Sequence, residues 1–315
     1  MKEVRIIGSS DWHLRMATPE CRTDDFSLTQ VKKVKQVLAE CKKFKADALC
    51  IAGDVFDSAF VSHGLVRRII RIFRRLLPSY TKLCVVYGQH DLRYHSLKNK
   101  HNSPLSVLLA SLDAFPVSDK PVILNDFVAI QGADFSQPIP DPIEGMFNIL
   151  VIHRMVIKTR KLWKGQQDFI TAARLLKESG YDIVISGDNH QQFHLTYKGK
   201  LLINNGPLVR LTIADYDHTP ACSLITIRED GTYDFEWKYL NIMEARKVLK
   251  EPEDTKFNKN VKEFVDAIYS ISDKSVDFMQ ILQENLNKES VDKSIKYWIN
   301  KIVEIYDNQH NKRLE

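Results

Sequence analysis

Residues 48–54 read Ala48-Leu49-Cys50-Ile51-Ala52-Gly53-Asp54, an apolar run that stops abruptly at a glycine and an acid. A short, continuous apolar run closed by a turn residue reads as a strand buried on both faces. The glycine lets the backbone turn as the strand ends, which leaves the Asp54 carboxylate at the strand's tip. The same arrangement recurs on either side. Asp11-Trp12-His13 follows Val4-Arg5-Ile6-Ile7, and Gly88-Gln89-His90-Asp91 follows Leu83-Cys84-Val85-Val86. Further on, His153 ends Ile149-Leu150-Val151-Ile152, and Gly187-Asp188-Asn189-His190 follows Ile183-Val184-Ile185. Strand ends in a layered α/β fold converge on one rim, so the five clusters are expected to meet in space. Such a gathering of Asp, His and amide side chains can hold two divalent cations, and a close pair of cations points to phosphoester chemistry.

Helical patterns separate these runs. Residues 28–44 place Val31, Val34, Leu38 and Cys41 on one face and lysines on the other. A second helix is expected over 63–77, stopping before Pro78, with Val66, Ile70, Phe73 and Leu77 as its buried stripe. A third is expected over 168–179, closed by Gly180. Short strands follow at 193–197 and 201–204, then a hairpin over 223–239 that turns at Glu229-Asp230-Gly231. This order suits an α/β fold, a four-layer α/β/β/α sandwich spanning 1–240. At Asn241 the composition shifts, and Glu251-Pro252-Glu253-Asp254 breaks the chain. Three amphipathic stretches between 261 and 306 then make 241–315 a small C-terminal helical region. Their apolar stripes fit a cap over the sandwich, a dimer contact or a partner-binding surface equally well.

With 315 residues and 44% hydrophobic content, the chain can bury one sizeable core plus an appendage. No apolar run approaches the roughly 18 residues of a membrane span, so no membrane partner is expected. Met1 leads into a strand at once, and no secretory signal is expected. Five cysteines, an odd number without C-x-x-C spacing, point to a reduced, cytoplasmic setting, with Cys50 and Cys84 as buried small side chains. The net charge of +5 is uneven: 241–315 carries 13 basic and 14 acidic residues, 1–240 carries 32 and 26. The modest positive excess lies with the polar clusters, which suits an anionic substrate.

Taken singly, the clusters leave alternatives open. Asp11 and His13 are two apart, which at a strand end puts both on one side, yet an isolated Asp-x-His also reads as a turn. Asp54 is placed to bridge two ions or to cap the next element, and Asp57 reads as a turn or cap residue. Gln89 offers a side-chain carbonyl to a hard cation. His90 can act as a general acid toward substrate, with Asp91 orienting its ring. His153 would be costly to bury unpaired, which favours a ligand role. Asp188 and His190 repeat the two-apart spacing.

In order and content these clusters resemble the motifs of the calcineurin-like metallophosphoesterases: D-x-H, G-D, G-N-H-D/E, a lone H, then G-H-x-H. The resemblance covers residues 1 to about 240. Ser10-Asp11-Trp12-His13-Leu14, Gly53-Asp54-Val55-Phe56-Asp57 and Asn205-Gly206-Pro207-Leu208-Val209-Arg210 are most similar to the SbcD-type DNA repair nucleases, phage-encoded versions included. The resemblance implies one metal on Asp11, His13, Asp54 and His190, and a second on Asp54, Gln89, His153 and Asp188. It further implies that solvent attacks phosphorus while His90, oriented by Asp91, stabilises or protonates the leaving oxygen. Two positions depart from the family pattern, both at the second metal: Gln89 stands where Asn is usual, and Asp188 where His is usual. Mostly oxygen ligands there favour Mn²⁺, with Mg²⁺ next, over Zn²⁺.

The expected function is therefore a two-metal DNA nuclease, exonucleolytic, acting in repair, replication or degradation. A phosphomonoesterase or small-molecule phosphodiesterase on the same fold is one alternative; a catalytically weak DNA-binding accessory subunit is another. Arg15, Arg22 and Arg93 lie near the expected rim as substrate contacts. Arg67, Arg71, Arg74 and Arg75 share one helix face and read either as a solvated surface or as a phosphate-backbone track. The resemblance also implies a homodimer and a coiled-coil ABC-type ATPase partner of the SbcC kind.

Overall fold

A computed structural model describes residues 2–159 and 166–250 of the chain. The first third lays down β1 (Glu3–Ser9), α1 (Phe26–Lys43), β2 (Ala48–Ala52), α2 (His63–Leu76), β3 (Lys82–Val86) and α3 (Pro104–Ser111). β4 (Val122–Leu124), β5 (Val128–Ala133) and β6 (Phe147–His153) follow, then the two-residue strands β7 (Val156–Ile157) and β8 (Ile170–Thr171). Next come α4 (Ala172–Glu178), β9 (Ile183–Gly187), β10 (Phe193–Tyr197) and β11 (Lys200–Asn204). β12 (Ala221–Arg228), β13 (Tyr233–Tyr239) and α5 (Ala245–Val248) close the series.

Alternation along the strands sets the layers. Val4 and Ile6 of β1 point into a core shared with Ile149 and Val151 of β6 and Ile183 and Ile185 of β9, while Ile7 faces the opposite way. That shared core lies between a five-stranded sheet, order β13-β12-β1-β2-β3, and a six-stranded sheet, order β10-β11-β9-β6-β5-β4. β1, β2 and β3 run parallel in the first, as do β5, β6, β9 and β11 in the second. On the outer face of the five-stranded sheet, Val34 and Leu38 of α1, Ile69 and Phe73 of α2 and Leu105 and Leu108 of α3 pack over Leu49 and Ile51. On the outer face of the other, Leu175 and Leu176 of α4 cover Leu150, Ile152 and Val184. The result is the expected α/β/β/α sandwich, and its double coverage explains why the central strands read as unbroken apolar runs.

Helix starts follow local capping. Asp25 accepts from the Leu28 amide at α1, and Ser62 from the Leu65 amide at α2. α4 begins four residues later than the apolar pattern suggests, because Ile170–Thr171 pairs with Val156–Ile157 as strand and Thr171 then caps the helix. The buried face of α2 is rotated slightly from the expected stripe: Leu65, Val66, Ile69 and Phe73 are buried, and Ile70 and Leu77 are half-buried. Cys50 and Cys84 are buried as expected. Residues 241–250 stay on the sandwich, with the Asn241 amide donating to Gln36 Oε1 at 2.9 Å and Val248 and Leu249 buried. The amphipathic stretches expected between 261 and 306 lie outside the described residues. Among the described residues no helix is long and apolar enough to cross a membrane.

Candidate metal centre

The C-terminal ends of β1, β2 and β3 in one sheet and of β6 and β9 in the other open on one rim, where the five clusters meet. The loop after β1 is laced to the loop after β2: the amides of Asp11, His13 and Leu14 donate to the carbonyls of Gly53, Asp54 and Val55 at 3.2, 2.9 and 3.0 Å. β1 already ends at Ser9, so strand alternation is not what brings Asp11 and His13 together. Asp11, His13, Asp54 and Asp188 all have left-handed backbone, with φ of 48°, 43°, 49° and 84°. Non-glycine residues there are strained, and such strain collects where side chains must be aimed at a site. Two glycines make room. A Cβ on Gly53 would lie 2.3 Å from His153 Nδ1, and one on Gly88 only 2.0 Å from Asp54 Oδ1.

The expected ligands converge. His13 Nε2 lies 3.2 Å from His190 Nε2 and 3.8 Å from Asp54 Oδ2. His153 Nε2 lies 3.3 Å from the same Asp54 oxygen and 4.0 Å from Asp188 Oδ1. Asp11 Oδ1 accepts from the Asp188 amide at 3.0 Å. Gln89 Nε2 donates to Asp188 Oδ1 at 2.8 Å, so the two residues that depart from the family pattern are bonded to each other. Donor atoms of three sets lie within 4.8 Å of one another: Asp11, His13 and His190; Asp11, Asp54 and His153; and His13, Asp54 and His90.

These residues fit divalent cations on the state of their own atoms. Asp11 Oδ2, His13 Nδ1, Gln89 Oε1 and His153 Nε2 are buried without a hydrogen-bond partner. Buried polar atoms are otherwise nearly always satisfied, and four orphans in one cluster call for a ligand. His153 Nδ1 lies 2.7 Å from the Ala52 carbonyl; donating to it leaves Nε2 as the lone-pair nitrogen turned toward Asp54.

The electrostatics agree. Burial pulls the His13 pKa down to about 3, so its ring stays neutral. Burial also opposes charge on His153, but Asp54, Asp11 and Asp188 outweigh it and raise the pKa to about 10. Burial raises Asp11. Burial would raise Asp54 as well, yet His153 and His13 hold it below the usual carboxylate range. A proton on His153 thus answers carboxylates that a cation would answer better.

Other expected roles change. Asp91 does not reach the His90 ring. Its buried carboxylate accepts from the amides of Val55, Phe56 and Gly88 at 3.2, 2.9 and 3.1 Å, and burial followed by the nearby Asp54 charge raises its pKa to about 8. The ring's Nδ1 instead lies 3.0 Å from the Asp57 carbonyl. Arg22 is not on the rim: it is buried, paired with Asp24, and lines another cavity. Arg15 is near the site, with Nη1 3.3 Å from Asp57 Oδ1, and the Arg93 guanidinium stacks 4.7 Å from the Phe60 ring centre.

Residue-type reasoning undervalued Asp57, whose Oδ1 is also 3.7 Å from His13 Nδ1. It also passed over the exposed Phe60 and Tyr94 beside the His90 loop. A GD-x-x-D spacing is the one signal that could have raised Asp57.

A model of the calcineurin-like phosphoesterase family matches residues 4–192. No curated protein matches the chain by sequence. Similar solved structures include the TT1561 protein of Thermus thermophilus, 12% identical with a TM-score of 0.45, over 75% of this chain and 99% of that one. An archaeal phosphodiesterase is 14% identical, TM-score 0.36, over 75% of this chain and 100% of that one. The purple acid phosphatase PPD1 of yellow lupin is 11% identical, TM-score 0.47, over 76% of this chain and 52% of that one.

Proposed function

The chain belongs to the calcineurin-like phosphoesterase family, and on that basis we propose that it is a metal-dependent DNA nuclease. Asp54 carries the reading. One carboxylate lies beside both His13 and His153, so it is the group common to the two halves of the donor set. In this reading Asp11, His13, Asp54 and His190 hold one ion, and Asp54, Gln89, His153 and Asp188 hold the other. Bound ions there supply Lewis acidity, lowering the pKa of water and drawing charge from the phosphate. Oxygen donors from Gln89 and Asp188 favour Mn²⁺ or Mg²⁺ at the second position.

The chain's own groups do the rest. His90, with Nδ1 on the Asp57 carbonyl, keeps Nε2 free to face substrate and give a proton to the leaving oxygen. Asp91, tied to three amides, holds the Gly88 turn and so positions both Gln89 and His90. Arg15 and the stacked Arg93–Phe60 pair flank this loop as contacts for phosphate and base.

Support for a polyanionic substrate comes from α2. Residues 63–77 contain five arginines and no acid. Arg67, Arg71 and Arg75 are exposed, and among the described residues none has a carboxylate partner. The test is incubation with Mn²⁺ and, separately, labelled duplex DNA, single-stranded DNA and p-nitrophenyl phosphate, with Asp54→Ala as control. Cleavage of DNA that disappears in Asp54→Ala is the expected result. Hydrolysis of the small ester alone would make the chain a phosphomonoesterase, and DNA retention without cleavage would make it an accessory subunit.

A further inference from the structure

The strip 205–210 serves two places. Its Leu208 amide donates to the Asp11 carbonyl at 3.1 Å, against the metal centre, while Arg210 lines a separate cavity of about 280 Å³ with Arg22 and Lys33. All three cationic side chains are buried, at 7%, 7% and 5% exposure. Cations so buried are normally matched by carboxylates. Here Asp24, on Arg22 at 2.8 Å, is the one carboxylate in ion-pair contact with any of the three among the described residues. Arg22 Nη1 donates to the Arg210 carbonyl at 3.1 Å. Arg210 Nε and Nη1 donate to the carbonyls of His218 and Met243 at 2.7 and 3.1 Å, and Lys33 Nζ donates to the Asn241 carbonyl. Neutral oxygens satisfy these donors without cancelling their charge. Asp215 and Asp217 lie near enough to support Arg210, but neither pairs with it. The apolar part of the lining comes from Val209, Ile242 and Met243.

We propose that this cavity is an anion site, built for a phosphate dianion, free or carried on a small organic body. The Lys33 ammonium and the unused Nη2 of Arg210 offer charge and donors to its oxygens, and the apolar part of the lining accommodates the body. None of the seven expected metal ligands lines it, so the site is independent of the phosphoesterase centre. Burial, then the charges of Arg210 and Arg22, pull the Lys33 pKa down to about 8, the response of a cation crowded by like charge and short of an anion.

Isothermal titration of the full chain in EDTA tests this, with dAMP, inorganic phosphate and deoxyadenosine as separate titrants. We expect dAMP to bind one site per chain and deoxyadenosine not to bind; phosphate as tight as dAMP identifies the free ion as the ligand, and weaker phosphate identifies the organic ester. Loss of one charged partner should weaken the binding of dAMP about tenfold in Lys33→Met, with Lys33→Arg retaining it. Near-UV circular dichroism establishes that the variants are folded, and unchanged hydrolysis of the substrate found for the wild type separates this site from the metal centre. No dAMP or phosphate binding in EDTA, equal binding by wild type and Lys33→Met, or binding of deoxyadenosine as tight as dAMP would each overturn the proposal.

Discussion

At the residue scale, the bond between Gln89 and Asp188 is the most informative departure from the family pattern. The Gln89 amide nitrogen donates to Asp188 and leaves Oε1 without a partner, free for an ion. Asn is one methylene shorter and would not span the same gap, while His at 188 would offer the amide no carboxylate. We therefore predict strong coupling between the positions. Gln89→Asn and Asp188→His alone should each weaken the second ion about tenfold or more, as removal of supporting groups at metal sites does. The double variant should recover much of that loss and favour Zn²⁺ relative to Mn²⁺. Metal titration by calorimetry across the cycle checks this; additive losses would refute the pairing. Gly88 gives a second prediction. A Cβ there would collide with Asp54 Oδ1 and amide alike, at 2.0 and 2.5 Å. Gly88→Ala should thus abolish Mn²⁺ binding while far-UV circular dichroism stays native, and retained binding would contradict the geometry. The candidate donor residues were legible because Asp, His and Gln stood where apolar runs stopped. Their aiming was not, since left-handed backbone at Asp11, His13, Asp54 and Asp188 leaves no mark in residue type. Asp91 was misread for a related reason: adjacency to His90 says nothing about which amides a buried carboxylate will meet.

At the scale of elements, α2 separates stability from binding. Its core face, Leu65, Ile69 and Phe73, is buried under α1 and α3, while Arg67, Arg71 and Arg75 are exposed. Arg67→Glu with Arg71→Glu should change folding stability by no more than about 0.5 kcal/mol per site, as exposed substitutions do. If the arginines follow a phosphate backbone, the logarithmic salt slope of duplex binding should shrink by about 0.9 for each phosphate left without its arginine. An unchanged slope with unchanged affinity would return this face to bare solvent. Apolar periodicity located α1 and α2 well, because each has one strong buried stripe. It misjudged the start of α4, where the pairing of β7 with β8 claims residues 170–171 and is visible only in three dimensions. It missed α3 altogether. There Ser103 accepts from the Ser106 amide and Pro104 opens the first turn, a capping signal too brief to stand out beside the neighbouring loop.

At the scale of the whole molecule, the proposed metal centre would draw its ligands from both sheets. Asp11, Asp54 and Gln89 follow β1, β2 and β3 of the five-stranded sheet; His153 ends β6, and Asp188 and His190 follow β9, in the six-stranded one. Without cations, three carboxylates from two sheets face one another across the top of the shared core, eased chiefly by His153. Cations bound there would tie the sheets together, and ligands that bind only the folded state stabilise it by mass action. That amounts to about 2.7 kcal/mol at a hundredfold excess over Kd. We predict that chelation lowers the melting temperature and that Mn²⁺ restores it in a concentration-dependent way. The increment should vanish in Asp54→Ala, which removes the carboxylate common to both halves. The layered fold itself does not need the ions, because the core between the sheets is closed by apolar side chains. Chelated protein should accordingly keep its far-UV circular dichroism at low temperature and lose only its margin against heat. A melting temperature indifferent to chelator and to Mn²⁺ would mean that the two sheets meet at the rim without sharing a bound cation.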